Sequence, residues 1–224
     1  MIAAAASPGV WSLLRIWMPQ LLVAAQGTLR MTAVAFAIAA VVGLLFGLAR
    51  LSRHPMLSRF AVGYIEVVRG TPALTQLFLI YFSLPAVGIV LRAFEAAVIG
   101  LGLNGAAYLA EVYRAGIQAI HRGQREAAYS IGMTHLEAMR FIILPQAIRI
   151  VLPPMANYAI ALLKDTSIAS LISAPELMLR ARDLSSEYFM PMRLYLTAGL
   201  MYLIMAYPLS RAVRFLEYRL SHGR

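Results

Sequence analysis

Residues 31–49, MTAVAFAIAAVVGLLFGLA, run uncharged between Arg30 and Arg50. A helix of about 20 apolar residues crosses the hydrocarbon core of a bilayer, so this stretch reads as a membrane span. Two further runs are bracketed in the same way. Residues 70–91 lie between Arg69 and Arg92, and residues 194–210 lie between Arg193 and Arg211. Two shorter runs, 96–110 and 150–163, are flanked by Glu95 and Glu111 and by Arg149 and Lys164. They reach spanning length if their charged ends are included, which snorkelling side chains permit. The alternative for either is a re-entrant or interfacial segment. Residues 11–25 read as a helix lying along the membrane surface before the first span. Residues 2–6 are too short for a signal-peptide core of about 7–15 residues, which leaves the first span as the targeting signal. The expected fold is an all-α membrane protein with five spans, forming one domain over residues 1–224.

Composition agrees. The 224 residues are 61% hydrophobic and only 13% charged, with a mean hydropathy of +0.72. A soluble domain carries about 25% charged residues, so an ordinary globular enzyme and a disordered chain are both excluded. There is no cysteine, which excludes thiolate catalysis, Cys-bound zinc, iron–sulfur clusters and a disulfide scaffold. The net charge of +10 could suggest nucleic acid. That reading fails, because the basic residues sit at the ends of apolar runs, as they do in membrane loops. His54, His121, His135 and His222 are scattered, with no metal-ligand spacing.

The basic residues also set the orientation. With the N-terminus outside, segments 50–69, 111–149 and 211–224 face the cytoplasm and hold 13 basic residues. The outer segments hold 7, and the last of these also carries Asp165, Glu176, Asp183 and Glu187. The positive-inside rule therefore places the N-terminus outside and the C-terminus in the cytoplasm.

One cytoplasmic segment is more than a connector. Residues 121–145 read HRGQREAAYSIGMTHLEAMRFIILP, between spans three and four. Gly123 and Gly132 punctuate it, and about two turns of helix fit between them. Thr134 and Glu137 have the spacing of a capping box, so a second helix starts at His135. Pro145 is tolerable only near the start of the fourth span. Ala127, Ala128 and Gly132 are small enough to let a partner approach, and Arg125 and Glu126 supply charge. Docking into a partner's groove and a purely structural helical hairpin both fit this chemistry.

Polar residues within spans are the candidates for a substrate path, because ionisable groups in a membrane are expensive and functional by default. Asn104, Tyr108 and Glu111 fall on one helical face at i, i+4 and i+7. Glu111 could equally pair with Arg114 at i,i+3. Asn157 adds a neutral hydrogen-bonding group. Lys164-Asp165 marks the outer end of the fourth span, as a gate, a substrate contact or an interface anchor. Arg69 reads as an inner anchor for a span that starts at Pro72. Gly43 and Gly47 form a GxxxG in the first span, a pattern that allows close helix packing.

The segment Glu126-Ala127-Ala128, followed at the same spacing by Gly132, Ile142 and Leu144-Pro145, resembles the EAA loop of binding-protein-dependent ABC permeases, with every fixed position filled. The resemblance extends further, to the polar amino acid uptake family (histidine, glutamine and arginine types). Arg69-Gly70-Thr71-Pro72 with Leu77–Phe82 resembles its second span. Tyr108-Leu109-Ala110-Glu111 with Arg114-Ala115-Gly116-Ile117 resembles its third, and Leu163–Ile168 the segment after its fourth. About residues 20–220 are covered.

The resemblance implies a permease subunit of a type I ABC importer in the bacterial inner membrane. It implies a second permease subunit, identical or paralogous, a pair of cytoplasmic ATPases, and a soluble extracytoplasmic protein that delivers an amino acid. The EAA helix, with Arg125, Glu126, Ala127, Ala128 and Gly132, would be the coupling helix that seats on the ATPase. The sequence has no GxxxxGK[ST] phosphate loop, so ATP and its magnesium would be held by the partner, and this chain needs no cofactor. A membrane-embedded enzyme would want clustered Asp, His or Ser, and a self-contained transporter would want internal repeats or a deep ionisable site. Neither pattern occurs, and neither accounts for the EAA spacing.

Overall fold

A computed structural model describes residues 10–221, all helices and connections with no strand among the described residues. The 2–6 stretch, His222 and Arg224 lie outside them. Helix α1 (Val10–Arg50) is one continuous helix of 41 residues, about 60 Å at 1.5 Å per residue. The expected surface helix over 11–25 is therefore the first part of the same rod. Trp17 and Leu21 explain why: both are buried against the last two helices of the chain, in a cluster with Leu177, Leu184 and Leu194. That contact keeps the segment in line with the rest of α1.

Helix α2 (Pro55–Gly70) is followed, at a bend of 104°, by α3 (Ala73–Phe78), which continues through a π turn (Leu79–Ser83) and a 3-10 turn (Leu84–Val87). The sequence reading of 70–91 as one straight span starting at Pro72 is corrected here. Thr71 and Pro72 are both extended; Pro72 lacks an N–H and pushes the preceding residue out of the helical region. The break therefore falls inside a longer helical path that begins at Pro55. The sequence left the third and fourth runs open to a re-entrant or interfacial reading, but the sharp bend lies between α2 and α3. Tyr64 ties α2 to the bundle, stacking on Phe46 at 3.9 Å and donating to the Leu103 carbonyl at 2.6 Å.

Helix α4 (Ala93–Gln118) is unbroken and the most enclosed of the long helices. Its contact with α1 is the most extensive in the molecule, and small residues make it close. A Cβ added at Gly43 would lie 2.9 Å from the Ala106 carbonyl oxygen, and one at Gly47 would lie 2.9 Å from that of Ala110. The GxxxG pattern thus packs backbone against backbone, but within the chain. Helices α1, α4 and α9 (Pro191–Ser221) are each long and apolar enough to cross a membrane, and the bent α2–α3 pair adds a fourth candidate. Helix α7 (Leu144–Asp165) has 22 residues and so the length for a span, though it carries Arg149, Lys164 and Asp165.

A turn of 3-10 helix (Thr166–Ile172) leads from α7 to α8 (Leu177–Tyr188), which Glu176 caps by accepting from the Met178 and Leu179 amides. Glu176 is fully buried and also accepts from the Tyr202 hydroxyl at 2.6 Å. Burial pushes its carboxyl above the ordinary value of 4.5, while the bonds from Tyr202, Met178 and Leu179 pull it back only in part. The folded chain therefore holds this proton more tightly than the unfolded chain. Stability is expected to fall as pH rises from 4.5 through the raised value. Thermal unfolding in detergent should show this slope in the wild type and a flatter one in Glu176→Gln. An unchanged slope would remove Glu176 as its source.

Candidate functional site

The 121–145 segment folds as its spacing predicts. Helix α5 (Arg122–Ser130) starts at His121, whose ring nitrogen accepts from the Gly123 amide, and α6 (His135–Glu137) starts at a complete capping box. The Glu137 carboxylate accepts from the Thr134 amide at 2.8 Å, and the Thr134 hydroxyl accepts from the Glu137 amide at 3.3 Å. The Thr134 amide, together with the Thr134 hydroxyl, which also donates to the carboxylate at 2.8 Å, holds the Glu137 carboxyl below its ordinary value. Between the two helices Gly132 has φ of +81°. The Gly132 amide donates to the Tyr129 carbonyl and the Met133 amide to that of Ala128, the paired bonds of a Schellman stop.

A π segment (Ala138–Ile143) joins α6 to α7 without a break. Pro145 sits in the first turn of α7, and its missing N–H falls where the π turn has already shifted the hydrogen-bond ladder. The path from His135 to Asp165 is therefore one continuous helical lever. At its free end, Glu126 and Ala127 are exposed on α5, whereas Ala128 is buried against the π segment. Arg125 turns inward, one terminal nitrogen reaching the Ile117 carbonyl at 3.4 Å. Gly132 meets nothing within 4 Å of an added Cβ, so inside this chain its φ, rather than close approach, calls for glycine.

The polar membrane residues divide. Asn104 donates to Gln76 at 3.3 Å. Tyr108 stacks on Tyr158 at 6.1 Å and lies under the Arg69 guanidinium at 5.5 Å. Gln76, in turn, bonds the Thr71 carbonyl at 3.0 Å, within the α2–α3 bend. The bend thus brings Arg69 and Gln76 to the Asn104–Tyr108 face, midway along α4. Arg69 is a corrected reading: it stands at the bend between α2 and α3, not at the start of a straight helix. Sequence reasoning missed both residues, although Gly70-Thr71-Pro72 marked the break.

Glu111 is engaged elsewhere. It pairs with Arg114 at 2.9 Å, the i,i+3 alternative, and also with Arg50 of α1. Asn157 donates to Glu217 at 3.2 Å, on α9, and is not brought to the Tyr108 face. Lys164 and Asp165 are exposed at the end of α7, where Asp165 acts electrostatically on Tyr158, the ring that stacks on Tyr108. Among the described residues no group of three or more His, Asp or Glu could hold a metal.

A bundle of long apolar helices, with one sharply bent pair and a polar hairpin leading into a continuous helical path, is the architecture of a polytopic membrane protein. The family model for the binding-protein-dependent transport system inner membrane component matches residues 39–222, and the chain belongs to that family. It is 44% identical over 162 residues to the probable amino-acid ABC transporter permease protein YckA of Bacillus subtilis (strain 168), covering 72% of each chain. It is 36% identical over 213 residues to the glutamine transport system permease protein GlnP of Escherichia coli (strain K12), covering 94% of this chain and 97% of that one. The fold is similar to a crystal structure of an amino acid ABC transporter with histidines, with a TM-score of 0.89, 38% identity, and 93% and 97% of the two chains covered.

Proposed function

We propose that the chain is the membrane-spanning subunit of an ATP-driven importer of polar amino acids in the bacterial inner membrane. It works by alternating access with a second permease subunit, a pair of ATPases and an extracytoplasmic binding protein. The observation that carries this reading is the exposed Glu126–Ala127 face of α5, held on a helical path that runs unbroken from His135 into α7. Family membership supports it. A partner that closes on ATP and grips α5 would swing the lever and with it α7, converting partner closure into a change of bundle packing.

In this reading residues 1–224 form a single permease domain, with the coupling loop at 121–145. Arg125, Glu126, Ala127, Ala128 and Gly132 belong to the coupling element: Glu126 and Ala127 face the partner, and Ala128, Arg125 and Gly132 shape and seat the helix. The chain binds no ATP, magnesium or other cofactor itself. Five spans are α1, the bent α2–α3 pair, α4, α7 and α9, with the N-terminus outside. Asn104 and Tyr108, joined by Gln76 and Arg69, line the substrate path. An amino acid carries both an ammonium and a carboxylate; Asn104 and Gln76 offer amide acceptors and donors, Tyr108 a π face, and Arg69 a carboxylate partner. Glu111, Asn157, Lys164 and Asp165 hold helix positions around that path.

The test is affinity purification of the tagged chain from gently solubilised membranes, beside a Glu126→Lys copy, with mass spectrometry of what accompanies each. A stoichiometric P-loop ATPase is expected with the wild type and lost with the variant. Its absence from a folded wild-type sample would overturn the reading. The chain is Cys-free, so topology is open to single cysteines at the exposed Ser130 and Ser186. A membrane-impermeant maleimide should reach Ser186→Cys from outside and Ser130→Cys only from the cytoplasmic side. Labelling of both from one side would break the five-span arrangement.

A further inference from the structure

Where the α1–α2 turn meets α5, a pocket of about 500 Å³ is lined by Arg53, Arg125 and His135, with Ser52 beside them and no carboxylate. The cations there are poorly satisfied. The ion pairs among the described residues engage Arg50 and Arg114, not Arg53 or Arg125. The Arg125 Nε is buried without a hydrogen-bond partner. His135 Nδ1 is taken by the Tyr129 hydroxyl at 2.9 Å. A buried guanidinium nitrogen with no acceptor is costly, and an anion in the pocket would relieve it.

A second cavity of about 540 Å³ adjoins this one. The two share Ile117 and Met139, and the second runs on between α1, α4 and α7 past Leu48, Ile148 and Leu152. Its lining is apolar apart from Tyr113, whose hydroxyl donates to the Ala40 carbonyl at 3.1 Å. Nothing in that groove calls for water. A basic pocket opening into an apolar groove, where the end of a membrane helix meets its first polar turn, matches one kind of molecule in both halves.

We propose that the two cavities form one site for an anionic phospholipid, with the phosphate held by Arg53, Arg125 and His135 and an acyl chain laid along Leu48, Ile148 and Leu152. Basic pockets beside membrane helices on the cytoplasmic side recognise such headgroups. The bound lipid would join the α1–α2 turn to α5 and the start of α7, so it would brace the lever that carries Glu126. The inference goes beyond the transport reading and needs from it only that residues 50–54 face the cytoplasmic leaflet.

The experiment is native mass spectrometry of the full chain, purified in detergent with the partners that accompany it, and titrated with palmitoyl-oleoyl phosphatidylglycerol or phosphatidylcholine. Phosphatidylglycerol should be retained with roughly thirtyfold preference, which corresponds to about 2 kcal/mol for Arg53 and Arg125 together. Arg53→Glu should abolish that preference. Arg53 is exposed and outside every helix, so the variant should keep the wild-type melting temperature. Ile148→Trp, which fills the groove from an exposed position, should lower retention of phosphatidylglycerol. Equal retention of the two lipids, or an Arg53→Glu chain that binds like the wild type, would overturn the proposal. Competition by glycerol phosphate at equal concentration would assign the pocket to a soluble anion instead of a lipid. Retention by the isolated chain but not by the chain with its ATPase would assign it to the protein interface.

Discussion

Gly43→Leu is expected to leave little folded protein in the membrane, and Gly47→Leu nearly as little. At Gly43 an added Cβ would meet the Ala106 carbonyl oxygen and the Leu109 Cβ, both at 2.9 Å; at Gly47 it would meet the Ala110 carbonyl oxygen at 2.9 Å and the Tyr113 Cβ at 3.1 Å. The nearest obstacles are backbone or side-chain bases, which cannot swing aside, so the helices must separate. Overpacking of this kind costs about 1–3 kcal/mol for a few methylenes. A leucine at a backbone crossing belongs at the upper end, because separating α1 from α4 also weakens the neighbouring contacts of Gly102 and Gly105 with Ile38 and Ala39. Gly63→Leu on α2 serves as the control, since nothing lies within 4 Å of its added Cβ. Melting temperature and monodispersity in detergent measure the difference. A Gly43→Leu chain as stable as Gly63→Leu would show that the α1–α4 contact is not what holds the bundle.

That contact also shows what apolar runs can and cannot reveal. Residues 31–49 declared a span because α1 is rich in large aliphatic side chains. Residues 96–110 looked weak because Glu95 and Glu111 cut the uncharged run short, yet α4 continues past both and, lined with glycine and alanine, is the most enclosed long helix. Hydropathy rewards bulk facing lipid, whereas a helix wrapped by other helices needs small residues to let them approach. The 121–145 hairpin was legible because its signals are local: a capping box four residues long, a glycine at a helix stop, a proline in a first turn. Pairings across the bundle were not. Arg50 and Glu111 are 61 positions apart and Asn157 and Glu217 are 60 apart, and no periodicity links them. The sequence put Asn104, Tyr108 and Glu111 on one helical face, and all three lie on α4. What split it was Arg50, arriving from α1 to claim Glu111 while the α2–α3 bend brought Gln76 and Arg69 to the other two.

Gly132→Val is expected to abolish ATP-driven uptake while membrane insertion stays intact. At φ of +81° a β-branched residue is a genuine outlier, and the left-handed conformation costs a residue with a Cβ about 1–2 kcal/mol. The cheaper course is to open the Schellman turn, losing the bonds from Gly132 to Tyr129 and from Met133 to Ala128. Helix α5 would then no longer keep a fixed angle to the Thr134-capped helix, and a partner gripping Glu126 would pull on a loose joint. Asparagine tolerates this conformation better than other residues with a Cβ, which separates two reasons for the glycine. If backbone angle is what matters, Gly132→Asn should keep most of the transport that Gly132→Val loses. If instead a partner's surface needs bare backbone there, asparagine and valine should fail alike. Uptake of labelled amino acid into proteoliposomes holding the assembled transporter, with ATP inside, reads the difference, and surface accessibility of an engineered cysteine at Ser186 confirms insertion. Wild-type uptake by Gly132→Val would remove the turn from the mechanism, because a joint that can be loosened without effect transmits nothing.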